Sequence, residues 1–301
     1  MEKPKNPEIP DWEVHFLKIE ETVIRSRQNR TVIEVGKLTD RKAREEAGLF
    51  RFDGVKLFLE ALSARLDLPL VLLSEPNAKA ILAAAEEACK KETTECIDRV
   101  LILSEDVFSK LSEEKSPEGV ICVAKYIDKL QKNATIYCSD TKIGDPMQEK
   151  ILLVESVRDP SNLGAVIRSA AAFGVDRLIL SSDCADIYHP KTIRASMGTL
   201  FTQRIDRSDD LVASVKSLQK AGRRIFAAAL TKDAEPIDVF AKQKGDCVVI
   251  GNEGHGLSKE ILEAVDGSLI IPMTERAESL NAAVAASLFL WELFGRGRGN
   301  R

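Results

Sequence analysis

Three segments in the C-terminal half hold the residue types from which a ligand site could be made. In ESVRDPSNLGAVIRSAAAFG, residues 155–174, Asp159, Pro160 and Ser161 supply turn and N-cap chemistry for a helix that Gly174 closes. Leu163, Val166, Ile167 and Ala170 recur at helical spacing and predict a core stripe. The opposite face, Ser161, Ala165, Arg168 and Ala172, carries one arginine among small side chains, where a solvated helix would carry several Glu and Lys. Small residues permit close packing, and a guanidinium brought into a packed site needs an anion, either a ligand's or an intramolecular carboxylate.

In VVIGNEGHGLS, residues 248–258, Gly251, Gly254 and Gly256 let backbone approach a ligand, while Asn252 and Glu253 offer hydrogen-bonding groups. Neither the P-loop pattern nor the G-x-G-x-x-G of a dinucleotide site is present, and Glu253 would repel phosphate. A neutral or cationic ligand is expected there. In LIIPMTERAESLNAAVAASLFLWELF, residues 269–294, Pro272 ends a strand, and Ser279 to Asn281 open a helix whose only charge before Phe294 is Glu292. A helix apolar almost all round must be covered on every side, by the core or in part by a second subunit. His15, His189 and His255 form neither a Ser-His-Asp pattern nor a metal-ligand spacing, so no catalytic histidine and no metal are expected.

Such loops need strands behind them. From Ile151 onward the runs ILLVESV, RLILSS, FTQRI, RIFAAAL, CVVIG and SLIIPM alternate with helical segments, including a short helix between RIFAAAL and CVVIG. Apolar runs without polar alternation predict strands covered on both faces, hence a mostly parallel sheet with helices on both sides. Ligands of such sheets collect beyond the carboxyl ends of the strands. Upstream, LPLVLLS, DRVLILS and GVICVAK read as strands and AKAILAAAEEACKK as a helix, a smaller α/β unit. The expected organisation is a first domain at 1–125, a linker at 126–150 containing the turn formers Gly144, Asp145 and Pro146, an α/β domain at 151–296 and a basic tail at 297–301.

Of the 301 residues 44% are apolar and 30% charged; no apolar run approaches a membrane span and MEKPKNPEIP lacks a leader's apolar stretch, so a cytoplasmic protein is expected. Cys89, Cys96, Cys122, Cys138, Cys184 and Cys247 are scattered without a C-x-x-C pair, which fits free thiols packed as small apolar groups. A net charge of −4 argues mildly against nucleic acid. Its distribution argues otherwise: between Val23 and Arg44, Arg25, Arg27, Arg30, Lys37, Arg41, Lys42 and Arg44 face only Glu34 and Asp40, and the tail adds Arg296, Arg298 and Arg301. That stretch is either a solvated helix face or a surface turned to an anion.

Taken together and in this order, the three C-terminal segments resemble the motifs of the SpoU (TrmH-like) RNA 2′-O-ribose methyltransferases of the SPOUT superfamily: D-P-x-N-x-G followed by arginine, G-N-E-G-x-G-L-S, and I-P-M followed by S-L-N. The resemblance covers roughly residues 150–295. VIRSRQNRTVIEVGKLTDRKAREEAGLF, FDGVKLFLEAL and EKSPEGVICV are similar to the substrate-binding domain of one branch of that family, with Asp53-Gly54 where Glu-Gly is usual. The basic stretch then becomes an RNA-facing surface.

The resemblance implies a trefoil-knotted C-terminal domain, an exception to the rule against threaded chains. It also implies a homodimer, S-adenosylmethionine as cofactor, and an active site completed across the dimer interface. Carried over position by position, Asn162, Arg168, Glu253, Ser279 and Asn281 are the catalytic candidates, and Gly251, Ile271 and Leu280 hold the cofactor through their backbone. A charged guanidinium has no lone pair to accept a proton, so Arg168 is expected to bind the neighbouring RNA phosphate and stabilise developing alkoxide charge. The added domain favours large-subunit ribosomal RNA over transfer RNA as substrate. A ribosome-binding or assembly factor that keeps the fold without catalysis is the competing reading.

Overall fold

The computed structural model describes residues 19–89, 96–127 and 146–295, apart from 253, 275, 277 and 278. His15, Cys138, Glu253, most of the expected linker and the basic tail, with Arg296, Arg298 and Arg301, lie outside the described residues.

The first unit strings together β1 (Ile19–Ile24), α1 (Arg30–Lys37), α2 (Arg41–Ala47), β2 (Leu49–Asp53), α3 (Val55–Ser63), β3 (Leu70–Ser74), α4 (Ala78–Cys89), β4 (Val100–Leu103), α5 (Glu105–Leu111) and β5 (Val120–Lys125). Its sheet runs β1-β4-β3-β5-β2, with β1 and β3 parallel to β4 and β5 antiparallel to both β3 and β2.

The second unit continues with β6 (Ile151–Val154), α6 (Pro160–Ala172), β7 (Arg177–Ser181), α7 (Pro190–Ser196), β8 (Arg204–Ser208), α8 (Leu211–Lys220), β9 (Ile225–Ala228), β10 (Glu235–Pro236), β11 (Cys247–Ile250), α9 (Lys259–Ala264), β12 (Gly267–Ile270) and α10 (Ala282–Leu290). Its seven strands lie in the order β10-β12-β9-β11-β6-β7-β8, every pairing parallel. Alternate strand residues point to opposite faces. Leu152, Val154, Val248 and Ile250 therefore pack under α6 and α10, while Ile151, Leu153, Cys247 and Val249 pack under α8 and α9.

Two expected elements are corrected. The strand foreseen in FTQRI begins only at Arg204, because Thr199–Phe201 close a 3-10 turn whose Leu200 and Phe201 are buried. No helix forms between β9 and β11. Pro236 disfavours helical backbone at the residue before it, and the segment is pinned instead by two-residue β10 and by buried Ile237 and Phe240.

The basic stretch also reads differently in three dimensions. Arg25 pairs with Glu75, Arg27 with Asp106, Arg30 with Glu34, Arg41 with Glu45 and Lys42 with Glu46, leaving only Lys37 of the seven without an ion pair among the described residues. Arg44 is no surface residue at all. Its side chain is 1% exposed and donates to the carbonyls of Leu38 and Thr39 and to Asp186 of the second unit at 2.6 Å. Tyr126 stacks on Tyr188 with ring centres 4.1 Å apart, Phe50 lies 4.6 Å from the same ring, and Phe52 lies 5.1 Å from Phe201. One apolar core accordingly runs through both units.

Candidate active site

At the carboxyl ends of β9, β11 and β12, where the α10 segment begins, lies a cavity of about 510 Å³. Gly251, Ile271 and Leu280, the three expected cofactor residues, all line it, with Ser279 beside them. A side chain at position 251 is excluded: its Cβ would stand 2.6 Å from the Gly256 carbonyl. That closeness arises because Asn252 and Gly256 exchange backbone hydrogen bonds at 3.0 and 2.9 Å, while the Asn252 Oδ1 accepts from the amides of Gly254 and His255. Among the described residues the lining is mixed apolar and polar, with Thr231, Asn252, His255 and Ser279 but no lysine or arginine. A cavity of this size and character suits a nucleoside-sized ligand that is neutral or cationic, and S-adenosylmethionine fits that description.

A second cluster forms where α6 and α10 run side by side. Asn281 caps α10 by accepting from the amides of Ala283 and Val284, and its Nδ2 donates to the Oδ1 of Asn162 at 2.9 Å. Asn162 sits in the first turn of α6, its amide donated to the Asp159 cap. Further along, Ser169 and Ser287 share a hydrogen bond of 2.7 Å and Phe173 meets Trp291 edge-on, so the two helices are parallel and in step. On the far side α6 touches α7 so closely that a Cβ on Gly164 would lie 2.4 Å from the Thr192 carbonyl.

Leu163, Val166, Ile167 and Ala170 are buried as expected. Arg168 is exposed and makes no ion pair or hydrogen bond among the described residues, so no described carboxylate supplies the anion. It is not among the residues lining the cavity. Val284 and Leu288 on α10 and Trp291 at its C-terminal cap are 48%, 39% and 47% exposed and share one face at helical spacing. The structure thus joins Asn162 to Asn281 and gathers Gly251, Ser279, Leu280 and Ile271 at the cavity, while Arg168 stands apart and Glu253 lies outside the described residues.

Sequence reasoning passed over residues 228–231, which also line the cavity. The signal was present, because they follow the carboxyl end of a strand in a parallel sheet. It passed over Ser156 and Asp183 as well. Ser156 has φ +55° and donates its hydroxyl to Asp183 at 2.6 Å. Burial alone would raise the Asp183 pKa, but hydrogen bonds from Ser156, Ser181 and Arg158 outweigh it and hold the carboxyl at about 2.

His189 caps α7, its Nδ1 accepting from the Lys191 amide, and burial lowers its pKa. Cys96, Cys122, Cys184 and Cys247 are thiols rather than disulfides, and burial pushes that of Cys247 up to about 11. Among the described residues no group of His, Cys, Asp and Glu could hold a metal ion, and no helix is long and apolar enough to cross a membrane.

Residues 149–291 match the SpoU rRNA Methylase family and residues 29–122 match the MRM3-like substrate binding domain. The chain is 31% identical over 272 residues to the 23S rRNA (guanosine(2553)-2'-O)-methyltransferase RlmP of Bacillus subtilis, a match covering 90% of this chain and 99% of that protein. It is also 31% identical over 264 residues to the 23S rRNA (uridine(2479)-2'-O)-methyltransferase of Streptomyces viridochromogenes, covering 85% of each. Among solved structures, the AdoMet-bound rRNA methyltransferase from Sinorhizobium meliloti superposes with a TM-score of 0.71 at 26% identity, over 91% of this chain and 97% of that one.

Proposed function

The chain belongs to the SpoU rRNA methylase family, and on that footing we propose that it transfers the methyl group of S-adenosylmethionine to a ribose 2′-hydroxyl of large-subunit ribosomal RNA in the cytoplasm. The observation that supports this reading is the convergence of three distant segments: the cavity bounded by Gly251, Ile271 and Leu280 opens beside Ser279, two residues from the Asn281 that grips Asn162. The 23S targets of both relatives favour ribosomal over transfer RNA.

The backbone of Gly251, Ile271 and Leu280 holds the cofactor, which when bound supplies an electrophilic methyl carbon and leaves as a neutral thioether. Glu253, Ser279, Asn281 and Asn162 orient the reacting groups. Arg168 grips the RNA phosphate next to the target ribose and stabilises the charge that develops on its oxygen. Residues 1–125 are the RNA-binding domain, 151–296 the knotted methyltransferase domain, and 126–150 the link between them.

The working unit is a homodimer. Arg168 is exposed, makes no ion pair or hydrogen bond among the described residues and lies off the cavity of its own chain, on the α6 that packs against α10, which carries the exposed Val284 and Leu288 and ends at the exposed Trp291. Burying that stripe against a second copy covers apolar surface and carries Arg168 toward the partner's cavity.

Calorimetric titration with S-adenosylmethionine, combined with mapping of 2′-O-methyl positions in RNA from a deletion strain, tests the proposal. A lost methylation in 23S RNA that returns with the wild-type gene but not with Arg168→Ala is expected. Loss confined to transfer RNA would move the substrate, and a folded protein that binds no cofactor would leave the assembly-factor reading standing.

A further inference from the structure

The loop that bounds the cavity, Gly251–Asn252 and Gly254–Ser258, is held by more than its own internal hydrogen bonds. It is fastened at both ends to two consecutive residues of the segment between β6 and α6. At one end the Asn252 Nδ2 donates to the Ser156 carbonyl at 2.8 Å. At the other, the Glu155 carboxylate accepts from the Ser258 amide at 2.8 Å and from the Ser258 hydroxyl at 2.6 Å, and the Glu155 amide donates to the Ile250 carbonyl. Ser258 in turn caps α9.

Ser156 is itself clamped. Its φ of +55° lies in the left-handed region that residues other than glycine rarely adopt, and only surrounding structure can keep it there. Three partners, from the end of β7, the loop after it and the loop after β11, do so. Ser181 accepts from its amide at 2.9 Å, Asp183 accepts from its hydroxyl at 2.6 Å, and Asn252 takes its carbonyl. Ser181 and Arg158 also donate to Asp183, which fixes the carboxylate that fixes Ser156.

We propose that Glu155 and Ser156 are positioning residues that preset the 251–258 loop in its cofactor-binding shape, with Asp183 as their anchor. Neither needs to touch the cofactor. A loop already ordered costs less to bind against than one ordered on binding, so their contribution appears in cofactor affinity more than in turnover at saturation. The inference rests on the reading that the cavity takes S-adenosylmethionine.

The test uses the full-length protein with S-adenosylmethionine as probe, and follows backbone amide exchange across residues 252–258 in parallel. Removing hydrogen bonds to a charged group typically costs enough to weaken affinity by about tenfold or more, so Glu155→Ala should raise the cofactor Kd and KM by that factor with a much smaller change in kcat. It should also speed exchange at Ser258. Glu155→Gln, whose amide oxygen can accept from the Ser258 amide while its NH2 donates to the hydroxyl, should restore most of both.

Wild-type affinity and wild-type exchange in Glu155→Ala would overturn the inference. Should that variant fail to fold, Ser156→Ala carries the test, since it removes only the hydroxyl bond to Asp183; unchanged exchange at 252–258 would then overturn it. A wild-type protein that binds no S-adenosylmethionine would instead sink the functional reading, and the exchange data would still decide the clamp.

Discussion

Asn281 donates its side-chain amide to the side-chain Oδ1 of Asn162 at 2.9 Å, tying together residues 119 positions apart. Asn281 also caps α10, whereas Asn162 makes no cap, so their replacement should separate stability from activity. Asn281→Ala should lower stability by about 1 kcal/mol through loss of the cap, and Asn162→Ala by less. Both should depress methyl transfer, and the double variant should lose less than the sum of the two, as expected of contacting residues. Thermal unfolding and single-turnover methylation of the three variants measure this; additive activity losses would mean that the pair does not act as a unit.

Arg168 gives the opposite profile. Because it makes no ion pair or hydrogen bond among the described residues, Arg168→Ala and Arg168→Lys should leave unfolding temperature and cofactor affinity unchanged. Turnover should fall by about 10²- to 10³-fold for alanine, the usual loss for a preorganised donor at a developing oxyanion. Lysine cannot reproduce a bidentate grip on phosphate and should recover little. Near-normal turnover in Arg168→Lys would refute the bidentate role.

These two residues mark what a linear chain can and cannot disclose. The strands of the second unit were legible because ILLV, RLIL and CVVI are buried on both faces and carry no polar alternation. β1 and β2, IEETVI and LFRFD, were not legible. Polar residues interrupt both, and the buried Arg51 of β2 is compensated by Asp53 and the Leu111 carbonyl, contacts invisible in sequence. The excess charge of 23–44 looked unpaired for the same reason: Glu75 and Asp106 lie 50 and 79 residues from the arginines they meet. The family resemblance singled out Gly251, Leu280 and Asn281 as candidates, but the clamp of Glu155 on Ser258 spans 103 positions and follows only from the fold.

The exposed face of α10 predicts an association. Leu288→Lys places a charge in the middle of the Val284, Leu288 and Trp291 stripe without disturbing the buried side of the helix. A buried unpaired charge is costly, so the variant should sediment as a monomer and lose activity while keeping its fold. Mixing Arg168→Ala with a cavity variant such as Gly251→Val should restore part of the activity, since one site of the mixed dimer then has both intact halves. An unchanged sedimentation coefficient in Leu288→Lys would place the interface elsewhere.

The two units are predicted to unfold together. Arg44 is buried and its partner Asp186 nearly so, and removing one member of such a pair leaves an uncompensated charge that typically costs about 3–5 kcal/mol. Arg44→Ala should therefore lower stability by an amount in that range, whereas Arg44→Met with Asp186→Asn should cost much less. Both should retain a single cooperative transition, because the Tyr126–Tyr188 and Phe52–Phe201 contacts keep one core continuous. Two separate transitions in the wild type, seen by calorimetry, would contradict the shared core.

The Asp183 anchor should leave a signature in acid. Its folded pKa, about 2, lies below the ordinary 3.8, so the carboxylate stabilises the folded state. A depressed pKa gives stability that is complete above the unfolded value and disappears as pH falls through the folded one. The window is therefore from pH 3.8 down to about 2. The carboxylate is 44% exposed, so solvent screens part of the effect, and the shape of the pH dependence is more telling than its size. Urea midpoints of the wild type should exceed those of Asp183→Asn at pH 5, and the gap should close as pH falls through the window. A gap that stays constant to pH 2 would mean that the asparagine loses packing rather than charge, and Ser156 would then be held by its backbone partners alone.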